Sequence, residues 1–167
     1  RTLLGKEKPF AFLNALGRTT NLHVRAAHHN ADLAFSRIED GSGVAEAAAL
    51  PLIGRSTKAH LEGTHTDSGV MLGLSASAHD VAVLRASGVK VIACEVPMAD
   101  ANDLAHWLQS MHQELAAILA RLGLDSIDNL KRQNLRALDY ETATISGLRL
   151  VGYVRPLLHW FAQLGEL

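Results

Sequence analysis

The sequence holds a single cysteine, Cys94, and no long stretch free of charge. One thiol excludes an internal disulfide and any cysteine-built zinc or iron–sulfur cage from this chain alone, and a reducing compartment fits it best. An excess of charge is missing too, since 16 Lys and Arg stand against 17 Asp and Glu. Nucleic acid and anionic lipid both require cations gathered on one face, so neither is an expected partner. The longest nearly uncharged stretch, 69–78, is too short and too rich in Gly and Ser to cross a bilayer, and the first residues lack the apolar core of a signal peptide. A cytoplasmic protein with no membrane partner is therefore the expectation. Arg1 stands where an initiating methionine would, which fits a fragment, a processed product or a tag remnant. Repeats, charge blocks and low-complexity tracts are absent as well. The 167 residues read as one domain large enough to bury a core, with an α/β part over 31–98 and a helical part over 99–167.

What is present is a set of periodic segments with their punctuation. Pro9 suits a first helical turn and Gly17 a stop, so a helix is expected over 9–16. Leu33, Phe35 and Ile38 make a short apolar pattern ahead of Asp40-Gly-Ser-Gly43, and an alanine-rich run leads to Pro51. The middle of the chain alternates most clearly. A buried strand over 70–74, a helix capped by Ser75 or Ser77 and running to Arg85, a stop at Gly88 and a β-branched strand over 89–94 form a β-α-β unit with parallel strands. From Asp100, a good N-cap, the residues Leu104, Trp107, Leu108, Met111, Leu115, Ile118, Leu119 and Leu122 fall on one helical stripe that Gly123 ends. Ser126 caps a short segment, and a third helix over 135–145 ends at Gly147. The tail from Leu148 is apolar for a terminus, with a helix expected over 157–164, and an apolar terminal segment has to pack on its own domain or on a second chain. A homo-oligomer contact through 148–167 is the preferred reading.

The run Leu104-Ala-His-Trp-Leu108, Glu114-Leu115, Arg121-Leu-Gly123, Ile127-Asp-Asn-Leu130, Asn134-Leu135, Glu141-Thr-Ala143 and Ser146-Gly147 resembles the C-terminal helices of FMN-dependent glutamate synthases. In that family these helices follow the last strand of a (β/α)8 barrel. Upstream, Thr66-Asp-Ser-Gly-Val70 is similar to the strand end and loop that help hold the FMN phosphate, 78–92 to the helix and final strand after it, and Asp40-Gly-Ser-Gly43 with Leu50-Pro-Leu52 to a glycine-rich segment near the substrate. The resemblance implies an α/β fold with a partial barrel-like unit and a helical C-terminal half, and a flavin-associated oxidoreductase domain with FMN as cofactor. It implies cofactor contacts at Asp67, Ser68, Gly69, Ala93 and Cys94. A glycine beside a strand end that opens a helix is also apt for phosphate on physical grounds, because backbone N–H groups converge there, although the same glycine makes an ordinary turn.

Two departures limit what carries over. The family's cysteine cluster is missing, so no iron–sulfur centre forms here, and 167 residues cannot hold the roughly 250 of a complete barrel. The expectation is a truncated piece, a subunit completed by another copy, or a remodelled relative without redox chemistry. A second resemblance covers Asp32 to Ala47, which is similar to the helix-turn-helix segment of cyanases. Its second helix would carry only Glu46 among apolar residues, which suits packing and not DNA contact.

Nine histidines are many for this length. His23, His28, His29 and Asp32, with His60, His65 and Asp67, supply the ingredients of a divalent metal site, the candidate ligands being His28, His29, Asp32, His60, His65 and Asp67, but adjacent histidines on a helix diverge by about 100° and no standard metal spacing is met. A His-cluster metal enzyme and a noncatalytic oligomeric assembly protein are the alternatives to the flavin reading. His106 and His112 lie beside the long helix's stripe, which suits surface positions. Cys94 beside Glu95 reads as an inert core residue. Ser68 or Ser75 with His79 and Asp80 lacks any nucleophile-elbow pattern.

Overall fold

A computed structural model describes residues 11–15, 19–37, 53–54, 56–72, 76–96, 98 and 100–156. Its centre is a four-stranded parallel sheet of β1 (Ala11–Ala15), β2 (Leu33–Arg37), β3 (Asp67–Met71) and β4 (Val91–Ala93), laid side by side in chain order. Helix α1 (Thr19–His28) joins β1 to β2, and α2 (Ala78–Ala86) joins β3 to β4. Residues 53–54 and 56–60 are helical and precede β3. The helical half follows: α3 (Ala101–Leu122), tight turns at Ile127–Asn129 and Arg132–Asn134, and α4 (Tyr140–Ser146).

Register separates the two faces of the sheet. Ala34 pairs with Ser68, and Ser36 with Val70, which pairs with Ile92. Side chains alternate along a strand, so these residues share one face. That face carries the core. Val70 and Leu72 pack with Ile53, Ala76, Leu84 and Val89, and Ile92 and Cys94 join them. Ala34 packs with Leu22 and Ala26 of α1 and with Ala31 and Leu61. The opposite face bears Leu33, Phe35, Asp67, Gly69, Met71, Val91 and Ala93. No buried cluster among the described residues gathers on it, and Met71 and Val91 are 36% and 40% exposed. Among the described residues the helices therefore cover one side of a parallel sheet, whereas such sheets are ordinarily buried on both.

Several local expectations hold. Ser77 caps α2 in a reciprocal box with Asp80: its hydroxyl accepts from the Asp80 N–H at 3.1 Å, and the Asp80 carboxylate accepts from the Ser77 N–H at 2.9 Å. Asp100 caps α3 and Gly123 closes it in the left-handed conformation at φ +68°. The strands on either side of α2 are parallel, as the β-α-β reading requires.

Others are corrected. Residues 11–15 of the helix expected over 9–16 form strand β1, because eight residues make a marginal helix and here the backbone is satisfied by pairing along β2; the remaining residues of that segment lie outside the described ones. The helix-turn-helix reading fails for the same pairing, since 33–37 is strand β2; 38–50 are outside the described residues. β3 begins three residues earlier than the expected 70–74, because Gly69 is a strand glycine and not a turn. The helix expected over 135–145 starts only at Tyr140, capped by Asp139, whose carboxylate accepts from the Thr142 N–H at 2.7 Å. The stripe of α3 is covered only in part among the described residues: Leu115, Ile118 and Leu119 pack on Ala82, Ala86 and Leu130 and Trp107 and Met111 are half-buried, while Leu104, Leu108 and Leu122 stay exposed.

Candidate functional site

The direction of the strands divides the candidate residues between two ends of the sheet. Asp67 and Ser68 open β3 at its amino edge and Gly69 lies at its middle opposite Val91, whereas Ala93 and Cys94 end or follow β4 at its carboxyl edge. Parallel strands in a barrel wall place their binding groups at the carboxyl edge, where the loops to the next helices converge.

Each of these β3 residues has a structural role. The Asp67 carboxylate meets the Lys90 ammonium at 2.6 Å. Ser68 is buried and its hydroxyl donates to the Gly88 carbonyl at 3.2 Å, tying β3 to the end of α2. Gly69 lies under the Phe35 ring of the neighbouring strand: a Cβ there would sit 2.4 Å from the nearest ring carbon. That close approach, and not anion binding, explains the glycine.

At the carboxyl edge Ala93 belongs to the open face, while Cys94 points toward the helices and packs on the core. The Leu72 N–H donates to the Ala93 carbonyl at 2.8 Å, which keeps the two strand ends in register. Beyond this edge a cavity of about 280 Å³ separates Ala76, Ser77 and Ala78 from Trp107, Ser110, Met111 and Glu114 on α3. Neither the cavity nor the open face is visible in linear sequence, because both depend on where α3 and the strands meet.

The histidine candidates are not brought together. Among the described residues no group of three or more His, Cys, Asp or Glu side chains is placed to hold a metal ion. His28 and His29 are exposed with their rings edge to face, centroids 5.1 Å apart, and His65 is exposed. His106, His112 and His79 are exposed also, the Asp80 carboxylate is committed to the Ser77 cap and Ser68 donates to the Gly88 carbonyl, so among the described residues no serine triad assembles; Ser75 lies outside them.

One histidine of that cluster is unusual. His23 of α1 is fully buried, and neither ring nitrogen has a hydrogen-bond partner. Burial drives its pKa down to about 4, with a partly offsetting approach of the Ser56 backbone and a further lowering from His60 nearby. It is buried on α1 alongside Leu22 and Ala26.

Compared with protein-family models, curated proteins and solved structures, the chain finds no match.

Proposed function

We propose that the chain is a flavin-associated oxidoreductase domain of glutamate synthase type, forming part of a (β/α) barrel wall and taking FMN at the carboxyl edge of its sheet. The observation that carries this reading is the sidedness of the sheet: four parallel strands in chain order, helices on one face only among the described residues, and a largely apolar opposite face. That is the arrangement of a barrel segment, whose outer face packs on helices and whose inner face is filled by side chains from strands completing the ring. Doubly wound sheets reverse their strand order and carry helices on both faces. The residues at the edge fit a planar ring, since Ala93 is small and lies on the inner side. Hydride chemistry would belong to the flavin, and the protein would position it and limit water access. Asp67, Ser68 and Gly69 pass from cofactor contacts to framework residues in this reading. The test is the visible spectrum of the purified chain after incubation with FMN and removal of excess. Retained, protein-bound yellow flavin supports the proposal, and a colourless protein rejects it.

A second reading rests on a different observation. Leu138 is 85% and Val154 79% exposed, with Tyr140, Val151 and Tyr153 about half exposed around the end of the helical half. Large apolar side chains gathered in this way mark an interface more often than a free surface. Assembly through this region predicts a homo-oligomer that Leu138→Glu with Val154→Glu dissociates. Light scattering after size exclusion decides it, and an unchanged mass for the double variant removes the reading.

A further inference from the structure

Beyond the carboxyl edge of the sheet, the cavity of about 280 Å³ lies between the start of α2 and the first half of α3. It is at the small end of ligand pockets and suits a molecule of about ten heavy atoms. One wall is Ala76, Ser77 and Ala78, the two alanines being buried. The other is a single face of α3, on which Trp107, Ser110, Met111 and Glu114 recur at helical spacing. Trp107 and Met111 are only half-buried, because the residues opposite them are too small to cover them. An indole and a thioether facing two alanines across a gap make an apolar slot.

The polar groups of the lining select the charge of what enters. The Ser110 hydroxyl donates to the Glu114 carboxylate at 3.3 Å, and the Ser77 hydroxyl donates to the Asp80 carboxylate at 2.6 Å while accepting from the Asp80 N–H. Both hydroxyl protons are committed, and no Lys or Arg lines the cavity among the described residues. The start of α2, otherwise a place for an anion, already holds the Asp80 carboxylate in its capping box. Glu114 brings the formal charge of the lining, and it is exposed to an entering ligand. The cavity therefore asks for a donor with positive charge. Glu114 follows Trp107 by seven residues, so the two stand about 10 Å apart along the helix axis, and a ligand that meets both needs its charge at one end and a flat apolar body at the other.

We propose that this cavity binds a small aralkyl amine in its protonated form, the ammonium donating to the Glu114 carboxylate and the ring lying between Trp107, Met111 and the two alanines. An aromatic ring packs favourably on an indole, and a cation nearby is drawn to the same π system. The site adjoins the flavin edge, but its occupation needs no flavin, so the two proposals fail separately.

Phenethylammonium titrated into the whole chain without FMN tests this, with the indole N–H resonance of Trp107, assigned by its loss in Trp107→Phe, as the NMR readout. The resonance should shift saturably with a dissociation constant on the order of 1 mM, the scale that about nine heavy atoms reach. Glu114→Gln should weaken binding about threefold, the worth of a solvent-exposed ion pair. Phenylpropionate, with the ring and the opposite charge, and methylammonium, with the charge and no ring, should leave the resonance in place. No saturable shift with phenethylammonium overturns the proposal, as does an equal shift with either control or an affinity undiminished in Glu114→Gln.

Discussion

His23 is held neutral by its surroundings, and this makes stability sensitive to acid. Its folded pKa lies near 4 against 6.5 when unfolded, so between these values the unfolded chain binds a proton that the folded chain does not. The stabilisation is complete above pH 6.5 and is lost as pH falls toward 4, by about 3 kcal/mol in all at about 1.4 kcal/mol per pH unit. Urea midpoints measured across that range should fall for the parent, and His23→Leu should flatten the dependence; an equal slope in both proteins would exclude His23 as its source. Gly69 makes a second prediction at this scale. Gly69→Ala should cost about 1–3 kcal/mol by overpacking against Phe35, and Phe35→Ala should relieve most of that cost in a double-mutant cycle on urea unfolding. Additive effects would mean that the ring does not set the glycine. Neither role was readable in sequence: Gly69 looked like a turn because its partner lies on another strand, and His23 was one of nine histidines with nothing local to single it out.

Elements whose ends are set by their own residues were legible, and elements set by distant pairing were not. Asp100 and Gly123 bound α3, and Ser77 starts α2, through contacts within a few residues. Ser77→Ala should therefore destabilise the chain by about 1 kcal/mol, seen as a lower urea midpoint with an unchanged slope. No loss would mean that the box with Asp80 is not formed in solution. Strand β1 was missed because its hydrogen bonds go to β2, with Ala11 opposite Leu33. The beginning of α4 was misplaced because Asp139 was not recognised as a cap, and Ala137 bridges Leu150 instead of continuing a helix. Amphipathic pattern alone also overstated the packing of α3. A stripe predicts which face is apolar, and only the arrival of α2 decides how much of it is covered.

For the molecule as a whole, the α/β character with a helical C-terminal half was expected from the alternation in the middle of the chain, and the parallel sheet agrees. The sidedness of that sheet was not expected, because register is fixed only when four separate segments are paired. It also revises where a cofactor would lie. Residues adjacent in the resemblance, Asp67 with Ser68 and Ala93 with Cys94, belong to opposite ends of parallel strands. Among the described residues no helix is long and apolar enough to cross a membrane. The central claim is that the open face and its carboxyl edge receive a flavin. Fluorescence titration of FMN with the whole chain, beside Ala93→Trp, tests it most directly. Saturable quenching that Ala93→Trp weakens at least about tenfold by filling the edge is the predicted result. Flavin fluorescence unaffected by the protein, or quenched equally by Ala93→Trp, would contradict it.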